Sequence, residues 1–182
     1  GAQNQTTAYA YDANGNRSTL TDPLNNQTRY AYDSLDRLIQ LTDAGLGQTR
    51  YRYDGQNHLT QVTDPRNLNT VYTVDGLSNR RQQNSPDTGL TTSTPDAAGN
   101  EISRTDAKGQ ITSLAYDALN RPTVITTQDG KQTRYHWDQG ANGMGRLTQI
   151  EDYQSNQLVG SVQTTYDPQG RVVSQTRRVG SA

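Results

Sequence analysis

The sequence predicts an all-β protein of tandem 21-residue β-hairpins that form one long curled antiparallel sheet. Three observations lead there. First, an Asp preceded by an aromatic residue or its substitute recurs at Asp12, Asp33, Asp54, Asp75, Asp96, Asp117 and Asp138, every 21 residues, with Asp167 following 29 residues later. Second, aromatic and polar residues alternate ahead of these Asp residues, the period-two signal of a strand with one distinct face. Third, Thr (25), Gln (19), Asn (14) and Ser (11) far outnumber the 28 Leu, Ile and Val among 182 residues, too few for a thick core. A low aliphatic share often marks disorder, but disorder also needs high net charge and few aromatics, whereas this chain has net charge -1 and 11 Tyr.

Thr28-Arg29-Tyr30-Ala31-Tyr32 is the best-kept first strand, and Thr49–Tyr53 and Thr133–Trp137 repeat it. The Asp that follows opens a turn, as in Asp12-Ala13-Asn14-Gly15-Asn16 and Asp96-Ala97-Ala98-Gly99-Asn100. There Asp bonds its own backbone two residues on, and Gly or Asn accepts positive φ. A second short strand comes next, at Leu38–Thr42, Leu59–Thr63, Thr123–Thr127 and Leu147–Ile150. A second turn closes the unit at Thr21-Asp22-Pro23, Thr63-Asp64-Pro65 or Thr105-Asp106-Ala107, where Pro lacks the N–H a ladder needs. Eight such units, on residues 1–182 as a single array, predict fourteen to sixteen strands. Two insertions, near 139–145 and 153–161, are expected to be loops and account for the longer last interval.

Ten Tyr precede the motif Asp by one or three residues: Tyr9, Tyr11, Tyr30, Tyr32, Tyr51, Tyr53, Tyr72, Tyr116, Tyr135 and Tyr166; Trp137 fills the same slot. Equivalent positions on successive hairpins place these rings in a ladder on one face, which is expected to substitute for a core. Arg29, Arg50, Arg52 and Arg134 fall on the opposite, wet face. The repeat before Asp75 keeps Tyr72 but has Val74, and that before Asp96 has Ser93 and Pro95, so the sheet is expected to be weakest, or bent, around Ser85–Pro95.

Composition excludes several classes. No Cys is present, so there is no disulfide framework, thiolate nucleophile or zinc–thiolate site. No apolar run approaches the roughly 18 residues that span a bilayer. Balanced charge offers no footprint for nucleic acid.

Candidate chemistry gives way to structural readings. His58 stands where other repeats have Arg37 or Arg121, and His136 lies between Tyr135 and Trp137; neither has a nucleophile or metal constellation nearby in sequence. Twelve of the 16 Asp recur at the two turns (the eight motif residues, then Asp22, Asp43, Asp64 and Asp106), which points to turn caps rather than paired catalytic carboxylates. Asp12-x-Asn14-x-Asn16 begins like a calcium loop but lacks its glycine and later Glu. Gly140-x-x-Gly143-x-Gly145 opens no helix and reads as an inserted flexible loop, not a phosphate cradle. The sequons at Asn4, Asn16 and Asn26 are expected by chance in so Asn- and Thr-rich a chain. No catalytic, metal or cofactor residue is assigned, and the chain reads as a non-enzyme.

The segments Tyr11-Asp12-Ala13-Asn14-Gly15-Asn16-Arg17, Tyr32-Asp33-Ser34-Leu35-Asp36-Arg37-Leu38, Tyr116-Asp117-Ala118-Leu119-Asn120-Arg121-Pro122 and Tyr166-Asp167-Pro168-Gln169-Gly170-Arg171-Val172 resemble the Rhs/YD repeat. That resemblance extends over essentially the whole chain. The signature residues are Tyr11, Asp12, Tyr30, Tyr32, Asp33, Arg37, Tyr51, Tyr53, Asp54, Tyr72, Asp75, Asp96, Tyr116, Asp117, Arg121, Tyr135, Trp137, Asp138, Arg146, Tyr166, Asp167 and Arg171. It implies a segment of a hollow β-sheet shell of the kind that encloses a C-terminal toxin in Rhs effectors and insecticidal toxin complexes, or forms part of a cell-surface adhesion receptor in teneurins. Implied partners are flanking YD repeats or other copies meeting at open sheet edges, toxin cargo, and carbohydrate stacked on the Tyr face; a self-assembling fibre is a further alternative. A secreted or cell-surface location is implied as well. After Arg171 the chain runs through Ser174–Arg178 without a segment resembling the family's aspartyl self-cleavage site, so Asp167-Pro168 is given no such role.

Overall fold

The computed structural model describes residues 5–180, so Asn4 of the first sequon lies outside them. The chain forms two compact units, Gly1–Leu90 and Thr91–Ala182, which divide inside the stretch where the aromatic signature lapses. The first holds β1 (Ala8–Tyr11), β2 (Arg17–Thr21), β3 (Gln27–Tyr32), β4 (Leu38–Thr42), β5 (Gln48–Tyr53), β6 (Leu59–Thr63), β7 (Asn69–Val74) and β8 (Arg80–Ser85). Strand β9 (Gly89–Pro95) carries the division, and β10 (Glu101–Thr105), β11 (Ile111–Tyr116), β12 (Pro122–Thr127), β13 (Gln132–Trp137), β14 (Leu147–Gln154), β15 (Gln157–Tyr166) and β16 (Val172–Val179) complete the second unit. Within each unit, successive strands pair antiparallel in chain order without a crossover. The all-β, tandem-hairpin expectation holds.

Seven of the eight first turns are built by the same local chemistry. Asp33 N–H donates to the Arg37 carbonyl, Asp36 N–H donates to the Asp33 carbonyl, and Asp36 itself takes φ 58°. That is a type I turn closed by a bulge, so the pairing slips between Ala31 and Tyr32 and the strand twists locally. Gly15, Asn57, Ser78, Gly99, Asn120 and Gly170 hold the same left-handed position. The Asp carboxylate locks the turn by accepting two further N–H groups, as Asp33 Oδ1 does from Leu35 (2.9 Å) and Arg37 (3.1 Å). The second turns copy this at Asp22, Asp64 and Asp106.

One second turn breaks the rule. Its left-handed residue is Leu46 (φ 67°), where equivalent turns use Asn25, Asn67 or Gly109, and the side chain is 77% exposed. A branched side chain there crowds the following carbonyl and recovers little by burial. Leu46→Asn is therefore expected to stabilise the protein by about 1 kcal/mol, read as a higher urea midpoint at unchanged m value.

Two sequence expectations are corrected. The extra residues near 153–161 do not make a loop: β14 and β15 lengthen to 8 and 10 residues and meet at a tight Ser155–Asn156 turn, both at positive φ. Extending the ladder pairs backbone groups that a loop would leave to water. The rings, too, are less covered than a core substitute requires. No hydrophobic side chain is fully buried among the described residues, and Tyr9 and Tyr11 are 53% and 63% exposed. A single sheet has no second layer, so each ring is covered by its own face alone.

That face is nonetheless consistent. Tyr30 pairs across the ladder with Leu41, Tyr51 with Val62 and Tyr135 with Ile150, putting aromatic against aliphatic side chains. The alternate positions carry Arg29, Gln40, Thr42, Arg50, Arg52, Gln61 and Thr63.

Candidate functional site

The signature rings just before the motif Asp and the Arg residues after it meet at the contact between one repeat and the next. The ring just before the motif Asp reaches back to the preceding hairpin. Tyr32 Oη donates to the Arg17 carbonyl (3.1 Å), Tyr53 to Leu38 (3.0 Å), Tyr116 to Glu101 (3.1 Å), Tyr166 to Leu147 (2.7 Å), and Trp137 Nε1 to Pro122 (2.8 Å). These carbonyls sit at the bulges, where the slipped ladder leaves them an open lone pair.

The residue four positions after the motif Asp reaches forward. Arg37 pairs with Asp33 (2.7 Å), stacks 4.8 Å from the Tyr53 ring centre and donates to the Asp54 carbonyl (3.2 Å). Arg121 pairs with Asp117 (2.7 Å), lies 4.9 Å from the Trp137 ring and grips both Asp138 oxygens (3.1 and 2.6 Å). Arg146, eight positions after Asp138 because of the insertion, covers Tyr166 at 5.6 Å. A ring hydrogen bond backward and a guanidinium on the ring forward make a two-part clasp, in which cation–π attraction and hydrogen bonding reinforce each other.

His58 occupies the Arg slot with the same geometry, its Nδ1 3.0 Å from Asp54 Oδ2 and its Nε2 2.8 Å from Ser78 Oγ. Asn100 does likewise through Asp96 and Asn120. Arg171 pairs with Asp167 at 2.6 Å. Tyr72 and Asp75 keep their places in β7 and its turn, where Asp75 caps Leu77 and Asn79.

Asp138 departs from the turn-cap expectation. It sits at φ 64° and accepts the Gly145 N–H (2.6 Å) while serving as the carboxylate for Arg121. The inserted Gly-rich segment moves Arg146 away from Asp138, and its guanidinium is held instead by the Asn142 and Met144 carbonyls.

Sequence reasoning missed one cluster. On the polar face of β13 and β14, Glu151 accepts from His136 Nε2 (2.9 Å), Tyr153 Oη (3.1 Å) and Gln149 Nε2 (2.8 Å), while Arg134 lies 4.3 Å from the Tyr153 ring centre. Tyr153 lay outside the repeat register, and only the lengthened β14 brings it beside Arg134. Its phenol is pushed up, chiefly by its hydrogen bond to Glu151.

Several turn carboxylates ionise more readily than usual. Arg37 holds Asp33 low, and Arg121 does so for Asp117 and Asp138. For Asp54, Asp64, Asp75 and Asp167, the backbone N–H four residues on is the larger cause. Asp129 falls to about 2, chiefly through Lys131. A folded pKa below the unfolded value near 3.8 means that this stabilisation is complete above it and is lost as pH falls through the folded values. Urea midpoints should therefore stay flat from about pH 7 to 5 and drop below about pH 4.

No group of His, Cys, Asp and Glu side chains that could hold a metal occurs among the described residues. No described helix is long and apolar enough to cross a membrane.

Repeating hairpins joined by side-chain clasps define a tandem β-hairpin repeat scaffold. The RHS Repeat family profile matches residues 11–45, 32–68 and 96–131, just over half the chain, and the chain belongs to that family. No curated protein sequence matches it. Among solved structures, the TcdB2-TccC3 complex without its hypervariable C-terminal region is similar at TM-score 0.71 and 19% identity over 93% of this chain, and so shares its fold. TcdB2-TccC3-TEV (TM-score 0.44, 15% identity, 95% of this chain) and the Photorhabdus luminescens Tc holotoxin pore in a mutant form (0.37, 14%, 98%) match more loosely. The chain spans 10%, 12% and 14% of those three chains in turn.

Proposed function

We propose that this chain is a non-enzymatic wall segment of an Rhs-type β-sheet shell, whose role is to separate an enclosed toxin or other cargo from the surroundings. The observation that carries this reading is the clasp between successive repeats. Tyr53, Trp137 and Tyr166 tie each hairpin to its predecessor at points independent of the ladder. A wall one sheet thick needs such cross-ties because it has no second layer to hold its curvature. Family membership supports the same role, and the reading implies a parent protein that is secreted or at the cell surface. Flanking YD repeats are the natural partners.

Size-exclusion chromatography with light scattering, then negative-stain microscopy of the same fractions, tests the reading on the 20.1 kDa chain. Discrete particles, either monomers or small closed oligomers, are expected. Long regular filaments would replace the wall with a fibre, in which copies pair along their sheet edges. The carbohydrate alternative predicts saturable glycan binding on the ring face. Arg17, Arg37, Arg121 and Arg146 already cover four of those rings.

A further inference from the structure

We propose that the polar face of β3–β6 is a docking surface for an acidic polypeptide segment, bound through Arg29, Arg50 and Arg52. No Asp or Glu lies in any strand of the first unit, whose acidic residues all sit in turns. All three Arg side chains are exposed, and none has a carboxylate within ion-pair distance among the described residues.

Their placement is ordered. Gln27 Oε1 accepts from Arg29 (3.1 Å) and Gln48 Oε1 from Arg50 (2.6 Å), holding each guanidinium along its strand. Arg50 and Arg52 are about 7 Å apart along β5, and Arg29, two strands away and in line with Gln48, lies about 12 Å from Arg50. Across the ladder they face only neutral residues: Gln40 and Thr63 oppose Arg50, Gln61 opposes Arg52, and Thr42 opposes Arg29. A cleft lined by Arg29, Tyr30, Ala31, Gln40, Thr42, Leu46 and Gln48 runs beside them. The nearest acidic residue, Asp43 in the adjoining turn, accepts the Gly47 N–H (2.8 Å) on one oxygen and makes no ion pair with Arg29.

The second unit shows which chemistry fits. Arg134 repeats the Gln-x-Arg arrangement, bonded to Gln132 at 2.9 Å, yet here Glu151 stands directly opposite in the ladder. The ladder thus sets a carboxylate across from this Arg, although Glu151 itself pairs with His136 (2.9 Å), whereas no strand of the first unit offers one. The fork of Arg matches a carboxylate bidentately. All signature aromatics lie on the other face, so there is no platform on which bases of a nucleic acid could stack. Binding would be the same whichever side of a wall this face lines, so its failure leaves the scaffold reading untouched.

A short fluorescein-labelled poly-glutamate peptide, titrated into the whole chain by fluorescence anisotropy, tests the proposal. Saturable binding that weakens with salt is expected, against none for a poly-glutamine peptide of the same length. Arg50→Ala with Arg52→Ala should weaken it about tenfold. Gln40→Glu with Gln61→Glu should do the same while leaving circular dichroism and melting temperature intact, because it places carboxylates opposite Arg50 and Arg52 as Glu151 is placed opposite Arg134. No binding of poly-glutamate, or binding that survives Gln40→Glu/Gln61→Glu, overturns the proposal. Preferential binding of heparin or of single-stranded poly-dT overturns it too, by assigning the face to a different polyanion.

Discussion

Trp137→Ala is expected to destabilise the protein by about 3 kcal/mol, the largest loss from any single ring. Truncation removes an indole whose Nε1 donates to the Pro122 carbonyl at 2.8 Å and whose face lies 4.9 Å from the Arg121 guanidinium. Full burial of Trp would cost about 3–5 kcal/mol on truncation, and the half-exposed setting holds the figure at the low end. Trp137→Phe separates the parts: it keeps apolar area and most of the stacking but leaves the Pro122 carbonyl unpaired, and should cost about 1 kcal/mol. Chemical denaturation monitored by far-ultraviolet circular dichroism reads both. A loss under about 0.5 kcal/mol for Trp137→Ala would mean that the clasp is a surface contact without structural weight.

Gly143→Ala is expected to cost about 2–3 kcal/mol, although it adds one methyl group in an inserted segment. Gly143 is buried, and a Cβ there would fall on the Gln139 carbonyl and within 2.9 Å of Thr148 Cγ2. The backbone oxygen cannot swing away as a side chain could, so the 139–145 segment must remodel. Remodelling would disturb the Asn142 and Met144 carbonyls that hold Arg146, and with them the Arg146–Tyr166 stack. Gly145→Ala is the comparison. Nothing lies within 4 Å of its would-be Cβ, so its cost comes from φ 74° alone, about 1 kcal/mol. Equal losses at the two sites would show that crowding at Gly143 is relieved without consequence.

Most of the fold was legible because a repeat makes the same statement eight times. Asp33, Asp54 and Asp117 could be read as turn caps from spacing alone, since the Asx contact is local and needs no tertiary partner. The rings before them could be placed on one face for the same reason, as strand alternation is a property of the backbone. Less could be read where the period broke. An insertion of four residues looks the same in sequence whether it bulges out or lengthens a hairpin, and β14 with β15 took the second course. Tyr153, outside the register, was likewise invisible as the partner of Glu151 and Arg134. The clasps stood between these extremes. Their residues were all visible in the signature, but not that Tyr53 reaches back to Leu38 while Arg37 reaches forward to Tyr53.

What the sequence by itself determined was therefore the hairpin, its turns, its two faces and its family, all of which follow from interactions spanning a few residues. Only the tertiary structure decided how far each ring is covered, which carbonyl each hydroxyl meets and which Arg residues find a carboxylate. Those contacts join residues some 15 to 20 positions apart across strand pairs, as Tyr53 joins Leu38 and Arg37 joins Asn57. Their geometry depends on register, bulge and twist, which emerge only when successive hairpins are laid side by side.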